Sequence, residues 1–74
     1  MVKLYTKTVC PKCMLAKSLF ENNGVEYQVI NIDQDSESKQ KIIDEGFMAV
    51  PIVEYDGKFY TNMSEFESLV DELK

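Results

Sequence analysis

The stretch Thr8-Val9-Cys10-Pro11-Lys12-Cys13 decides the fold, because it joins a strand pattern to a helix pattern and contains both cysteines of the chain. Apolar and polar side chains alternate from Val2 to Thr6, as in a short β-strand. Pro11 suits the first position of a helix, since its missing N–H needs no partner there and its fixed φ is already helical. The sequence therefore predicts a strand that runs into a helix at the cysteine pair.

A cysteine pair with this spacing indicates a dithiol that cycles between reduced and oxidised forms. Attack on a partner's disulfide needs one exposed thiolate, and release of the resulting mixed disulfide needs a second sulfur within bonding reach. Two intervening residues at a helix start supply both. The spacing thus favours thiol–disulfide exchange.

Two other uses of the cysteines fit the sequence less well. A structural disulfide across four residues would remove only about 2 kcal/mol of unfolded-state entropy, and small secreted domains usually carry several such bridges. A structural zinc site needs four Cys or His ligands, and the chain has no His and only two Cys. A site shared between two chains would supply more ligands, but nothing in the sequence requires one, so we expect no bound metal and a monomer.

Length and composition bound the remaining possibilities. A chain of 74 residues has the size of one small domain, and we predict a single domain over residues 1–74. No secretory signal pattern stands at its N-terminus, and no apolar run is long enough to cross a membrane. We therefore expect no membrane partner and a cytoplasmic location, where thiols are kept reduced.

Charge is spread unevenly along the chain. The net charge is −5, yet residues 1–17 hold four of the eight lysines and no acid. Lys7 and Lys12 flank the cysteines, where they can stabilise a thiolate. An acidic chain without arginine argues against nucleic acid as a partner.

The rest of the pattern alternates helices and strands. Apolar residues four positions apart predict a core-facing stripe on the first helix, which Gly24 ends: Leu15 with Leu19 and Ala16 with Phe20. Residues 25–32 are typical of a strand covered on both faces. Residues 36–46 predict a second helix with Ile42 and Ile43 facing the core.

The last third of the chain predicts two strands and a helix. Residues 51–55 and 58–61 are strands joined by the two-residue turn Asp56-Gly57. A capping box at residues 64–67 predicts the start of the last helix, whose apolar stripe is Phe66, Leu69, Val70 and Leu73.

The element order is therefore β-α-β-α-β-β-α. A right-handed crossover makes the first two strands parallel neighbours, and the hairpin adds an antiparallel pair. We predict an α/β fold with a four-stranded mixed sheet flanked by three helices. The dithiol then lies at the carboxyl end of a central strand, where open α/β sheets carry their sites.

In this arrangement the chain resembles the glutaredoxins and the glutaredoxin-like NrdH-type redoxins, which share the minimal thioredoxin fold. The resemblance covers essentially the whole chain and rests on four motifs: Cys10-Pro11-Lys12-Cys13, Asn31-Ile32-Asp33, Glu45-Gly46-Phe47 and Val50-Pro51. It implies a small dithiol–disulfide oxidoreductase that carries electrons. It also implies a cis Val50-Pro51 bond beside the dithiol.

The family pattern gives each site residue an expected role. Cys10 should be exposed at the helix start, where unpaired N–H groups and the helix dipole favour its anion, so it is the attacking nucleophile. Cys13, one turn later, should be more buried and should act as the resolving cysteine. Pro11 and Pro51 shape the site. Lys12 replaces a tyrosine usual in glutaredoxins and should support the thiolate.

Residues outside the dithiol bear on the choice of partner. Lys7 resembles the glutaredoxin lysine that helps hold the glutathione carboxylate. Thr61 and Asn62 stand where the glutathione-carboxylate motif has two glycines, and their side chains should weaken that site. The full set of candidate substrate-binding or glutathione-binding residues is Lys7, Lys12, Ala49, Val50, Pro51, Thr61 and Asn62.

We favour an NrdH-like redoxin without a bound cofactor, although the C-terminal motif of that subgroup is also absent. Its electrons would come from NADPH through thioredoxin reductase, and its acceptors would be ribonucleotide reductase or other protein disulfides. The alternative is a glutathione-dependent dithiol glutaredoxin. A third interpretation is a non-catalytic module that senses redox state or shares an iron–sulfur cluster between chains, because one chain offers too few thiolates.

Overall fold

A computed structural model describes residues 1–74 of the chain. The helices and strands follow the predicted order: β1 (Val2–Thr6), α1 (Pro11–Asn22), β2 (Tyr27–Asn31), α2 (Ser36–Asp44), β3 (Ile52–Tyr55), β4 (Lys58–Tyr60) and α3 (Met63–Leu73). None of the three helices is both long enough and apolar enough to pass through a membrane.

The four strands form one mixed sheet in the order β2-β1-β3-β4. β1 pairs in parallel with β2 and antiparallel with β3, and β3 pairs antiparallel with β4. Asp56 and Gly57 join β3 to β4 with positive φ values of 51° and 76°, the backbone of a tight two-residue hairpin turn. The predicted sheet is confirmed, and β1, which leads to the dithiol, lies inside it.

Each face of the sheet carries a separate apolar core. The larger cluster joins the sheet to α1 and α3 through Val2, Leu4, Ala16, Phe20, Val53, Phe66, Leu69 and Val70. The smaller cluster joins the opposite face to α2 through Tyr5, Ile32, Ile42 and Ile52. Leu4 and Tyr5 contribute to different clusters because successive side chains of a strand point to opposite faces.

The buried stripe of α1 differs from the predicted one. Cys13, Ala16 and Phe20 are its buried residues, whereas Leu15 is 59% exposed. The buried line thus runs through positions three and four residues apart that include the cysteine. The prediction for Leu15 is wrong because Cys13, which the predicted apolar stripe did not include, occupies a core position of α1.

The second helix and the second strand are also less covered than predicted. Ile42 is 2% exposed but its neighbour Ile43 is 50% exposed, so only one of the two isoleucines faces the core. β2 is an edge strand, and Val29 on it is exposed. Ile42 is the only buried residue of α2, so the helix packs against the sheet along one line of side chains.

A polar network fixes α2 on the sheet. Lys41 Nζ lies 2.9 Å from Glu54 Oε1, and the Tyr5 hydroxyl donates to the same oxygen at 2.6 Å. Burial and the hydrogen bond to Glu54 raise the pKa of Tyr5 to about 12. The network ties α2 to β1 and β3 beside the smaller core.

The start of α3 lies earlier than the predicted capping box. Asn62, not Ser64, is the N-cap, and its Oδ1 accepts the Glu65 N–H at 2.9 Å. Glu65 in turn accepts the Thr61 N–H at 3.0 Å. This arrangement is a variant of the capping box, two residues upstream of the predicted one, in which Glu65 accepts from the residue before the N-cap. Both patterns fit the sequence. Because β4 already ends at Tyr60, the helix begins at Met63, directly after Asn62.

The different burial of Ile42 and Ile43 gives a matched test of the fold. Ile42→Ala should lower the free energy of unfolding by about 2–5 kcal/mol, because it leaves a cavity in the smaller core. Ile43→Ala should change it by no more than about 0.5 kcal/mol, since the side chain is half in solvent. Urea denaturation of both variants measures the difference, and equal losses would contradict the assigned orientation of α2.

Candidate active site

Cys10 is the residue that caps the N-terminus of α1. Its backbone is extended, with φ −153° and ψ 93°, and its sulfur accepts the Cys13 N–H at 3.1 Å. Its carbonyl oxygen accepts the Met14 N–H at 3.3 Å. Pro11 occupies the first helical turn, as predicted. The sequence thus places a sulfur atom where an oxygen side chain usually caps a helix.

The two cysteines form a disulfide, with their Cα atoms 5.2 Å apart. Cys13 is 2% exposed, whereas Cys10 is only partly buried. The first turn of α1 contains no acidic residue, so nothing there opposes a negative charge on Cys10. When the pair is reduced, the helix N-terminus and the Cys13 N–H can stabilise a thiolate on Cys10.

The loop before Cys10 is held by residues that follow β2. The Thr8 N–H donates to Asp33 Oδ2 at 3.0 Å, and Asn31 Nδ2 donates to Thr8 Oγ1 at 3.3 Å. The hydrogen bond from the Thr8 backbone lowers the pKa of Asp33 below its ordinary 3.8, although desolvation of the carboxylate acts in the opposite direction. The positive charges of Lys7 and Lys39 lower this pKa further. These contacts fix the backbone that leads into the cysteine pair.

Sequence reasoning did not assign this supporting role to Asn31 and Asp33. The signal was present, because β1 and β2 are parallel and their carboxyl ends meet at one edge of the sheet. Thr6 pairs with Asn31 in the register. Polar residues directly after β2 must therefore lie beside the loop after β1.

Val50 and Pro51 border the dithiol from the other side. Their peptide bond is cis, as the family resemblance implied. The carbonyl oxygen of Val50 lies 4.0 Å from Cys10 Sγ, and Pro51 is buried. The start of β3 and the start of α1 thus face each other across the sulfur.

A cleft of about 410 Å³ opens beside Cys10 and contains several of the predicted site residues. Its lining consists of Lys7, Val9, Cys10, Pro11, Lys12, Met48, Ala49 and Val50. An adjoining cavity of about 320 Å³ is bordered by Lys12, Pro51 and Thr61 among others. Asn62 borders neither cavity and caps α3 instead. Six of the predicted site residues therefore line the cleft. Pro51 and Thr61 line the adjoining cavity.

The donors at residues 61 and 62 are already used within the chain. Glu65 Oε1 accepts from the Thr61 N–H at 3.0 Å, from Thr61 Oγ1 at 3.1 Å and from Asn62 Nδ2 at 3.1 Å. Glu65 was not among the predicted site residues. The pattern Asn-x-x-Glu is the sequence signal that could have identified it.

No group of three or more His, Cys, Asp or Glu side chains in the chain could hold a metal ion. The polar groups around the cleft are lysine ammonium groups and backbone atoms. The chemistry that the site itself offers is that of the two sulfur atoms.

Comparison with known proteins gives a consistent result. The glutaredoxin family model matches residues 2–60. A 56-residue stretch is 34% identical to the glutaredoxin-like protein NrdH of Lactococcus lactis subsp. cremoris and covers 76% of this chain and 78% of that protein.

Two solved structures are similar over nearly the whole chain. The glutaredoxin-like NrdH-redoxin from Escherichia coli has a TM-score of 0.85 at 23% identity, over 99% of this chain and 93% of that one. Buckwheat glutaredoxin, in a complex with glutathione, has a TM-score of 0.75 at 29% identity, over 96% of this chain and 69% of that one. These similarities confirm the predicted thioredoxin fold.

The contact between Thr8 and Asp33 makes a pH-dependent contribution to stability. Because the folded pKa of Asp33 lies below its ordinary 3.8, the contribution is present above that pH and is lost as the pH falls through the folded value. Asp33→Asn should therefore destabilise the protein at neutral pH, and its difference from the wild type should shrink in acid.

Urea denaturation at neutral pH and near pH 3 measures this effect. Asp71→Asn, which removes an exposed carboxylate from α3, controls for the change in net charge. A difference between Asp33→Asn and wild type that stays constant or grows in acid would refute the assignment.

Proposed function

Because the chain belongs to the glutaredoxin family, we propose that it acts as an NrdH-type redoxin that is reduced by thioredoxin reductase with electrons from NADPH. The protein is a thiol–disulfide oxidoreductase whose redox-active pair is Cys10 and Cys13. Its electrons come from a reductase or from glutathione, and its partners are redox partners. The proposal selects the reductase as donor, and protein disulfides, including that of ribonucleotide reductase, as acceptors.

We assign the two cysteines different steps. The Cys10 thiolate attacks one sulfur of the partner's disulfide, the partner's S–S bond breaks, and the other partner sulfur leaves with the electron pair. The Cys13 thiolate then attacks Cys10 Sγ and releases the second partner sulfur. The partner gains two electrons and two protons, and the Cys10–Cys13 disulfide remains for the reductase to reduce. The partial exposure of Cys10 and the burial of Cys13 support this order.

The observation that carries the choice of donor is the contact of Glu65 with residues 61 and 62. Where glutaredoxins bind a carboxylate of glutathione, the donors of Thr61 and Asn62 already face the carboxylate of Glu65. Glutathione would have to displace this group and would meet its negative charge at short range. The side chains of Thr61 and Asn62 also fill space that glycines would leave open.

A specific observation favours the alternative, a glutathione-dependent glutaredoxin. The cleft beside Cys10 is lined by Lys7, Lys12, Ala49 and Val50, which are four of the five other residues expected to contact glutathione. The similar buckwheat glutaredoxin structure contains glutathione. The two candidate functions therefore use the same dithiol, and the residue that distinguishes them is Glu65.

Parallel assays of disulfide reduction distinguish the two donors. NADPH with thioredoxin reductase should reduce the protein quickly, and NADPH with glutathione and glutathione reductase should reduce it slowly. Glu65→Ala frees the donors of Thr61 and Asn62. It should raise the ratio of the glutathione rate to the reductase rate by roughly tenfold, the value of one hydrogen bond to a charged group.

Two controls make this assay specific. Glu67→Ala removes a neighbouring exposed carboxylate of α3 that forms no hydrogen bond with Thr61 or Asn62, and it should leave the ratio unchanged. Cys10→Ser provides the inactive blank. A wild-type protein that is reduced quickly only by glutathione would show that the proposed donor is wrong.

A further inference from the structure

The strand β2 forms an open edge of the sheet. The strand order is β2-β1-β3-β4, so β1 covers β2 on one side and no strand covers the other. The five residues of β2, Tyr27-Gln28-Val29-Ile30-Asn31, include no charged side chain and no proline. Edge strands that lack such residues are templates for pairing with a further strand, because their outward N–H and C=O groups have no partner in the sheet.

The opposite edge of the sheet is protected against such pairing. β4 has only three residues, and the first of them is Lys58, which is exposed. Short edge strands and lysine side chains are two of the means by which natural sheets avoid joining one another. The two edges therefore differ, and β2 is the one at which the sheet can be extended.

The register of the parallel ladder shows which backbone groups of β2 point outward. The Ile32 N–H donates to the Thr6 carbonyl at 2.8 Å, and Thr6 is paired with Asn31. Ile32 therefore directs its backbone groups toward β1, and the groups of successive strand residues point to opposite sides. It follows that the N–H and C=O groups of Tyr27, Val29 and Asn31 point away from β1.

Few of these outward groups are used elsewhere in the chain. The Asn31 carbonyl accepts the Gln34 N–H at 3.1 Å, and no other hydrogen bond of the turns and loops involves the backbone of Tyr27 or Val29. Val29, at the middle of the set, is 44% exposed. The outward N–H groups and the carbonyls of Tyr27 and Val29 are thus left for a partner strand.

We propose that β2 pairs antiparallel with β2 of a second copy of this chain, around a twofold axis at Val29. The two Val29 residues exchange N–H and C=O groups, and the Asn31 N–H of each copy donates to the Tyr27 carbonyl of the other. This register uses every outward residue of β2, because Tyr27 and Asn31 lie symmetrically about Val29. The sheet then continues through both copies.

The charge pattern of the flanking residues fits a second copy. In this register Glu26 lies opposite Ile32 of the other copy, and Asp33 lies opposite Val25. No like charges therefore stand directly opposite each other between residues 25 and 33, where they would destabilise the pairing. A second copy also supplies an edge with the same spacing of donors and acceptors and the same lack of charge.

The pairing leaves both dithiols open. Because the two β2 strands run antiparallel, their carboxyl ends, and with them the two Cys10 sites, lie toward opposite ends of the joined sheet. The net charge of −5 on each copy opposes association at low salt, and added salt screens this repulsion. The sequence alone leads us to expect a monomer, since the open edge becomes visible only in the strand order.

Cysteine cross-linking tests the register. In protein that carries Cys10→Ser and Cys13→Ser, Val29→Cys places the two thiols at a hydrogen-bonded pair with Cα atoms about 5.5 Å apart, which suits a disulfide. Gln28→Cys is the control, because Gln28 lies opposite Ile30. With a mild thiol oxidant, Val29→Cys should form a covalent dimer roughly tenfold faster than Gln28→Cys. Equal rates would overturn the register.

Sedimentation velocity of the wild-type protein measures association without a cross-link. The average mass should rise with protein concentration, and more steeply at high salt. Val29→Pro removes the outward N–H of Val29, and proline is tolerated where the N–H of an edge strand faces solvent. It should abolish the rise, whereas Val29→Thr keeps the N–H and should associate as the wild type does.

Val29→Lys provides a second disruptive variant that does not depend on proline. It sets two lysines opposite each other at the twofold axis, so it should also stay monomeric. A wild-type protein that is monomeric at every concentration and salt, or that dissociates when salt is added, would overturn the proposal. Dimers that persist in both variants would also overturn it, because the interface would then lie elsewhere.

Discussion

The hydrogen bond from the Cys13 N–H to the sulfur of Cys10, 3.1 Å long, connects the fold of this protein to its chemistry. It closes the N-terminus of α1 and places the sulfur where the helix dipole favours an anion. The same helix brings Cys13 to a buried position one turn later. One local structure thus gives the two sulfurs different surroundings, which a dithiol needs if one is to attack and the other to resolve.

The sheet supports this helix start from three sides. β1 delivers the chain to Cys10 from inside the sheet, and Asp33 after β2 holds the intervening loop through Thr8. The carbonyl of Val50 before β3 faces the sulfur. Because these three strand ends meet at one edge, the site is built from residues far apart in sequence. A substitution at any of these three strand ends should therefore alter the surroundings of Cys10 although Cys10 itself is unchanged.

Much of this could be predicted from the sequence. The alternation in β1, the proline after Cys10 and the Asp56-Gly57 turn act locally, so they identify the element order without tertiary information. The cis bond at Pro51 came from the family resemblance and is confirmed. The roles of Cys10 and Cys13 stay predictions, since the structure gives their positions and not their reactions.

Other features depend on packing that a pattern does not contain. Periodicity allowed both Ile42 and Ile43 to face the core, but Ile42 is the only buried residue of α2, and Ile43 is half in solvent. Two overlapping capping boxes fit the start of α3, and the end of β4 decides for Asn62 and Glu65. The contact of Glu65 with Thr61, on which the choice of electron donor rests, follows from that decision.

The assignment of attack to Cys10 and resolution to Cys13 is tested most directly by trapping the mixed disulfide. Reduced Cys13→Ser and Cys10→Ser proteins are each mixed with a disulfide-containing protein, quenched in acid and weighed intact by mass spectrometry. The account predicts a stable covalent adduct through Cys10 in the first variant and almost none in the second. Rapid formation of an adduct through Cys13 in the Cys10→Ser protein would contradict it.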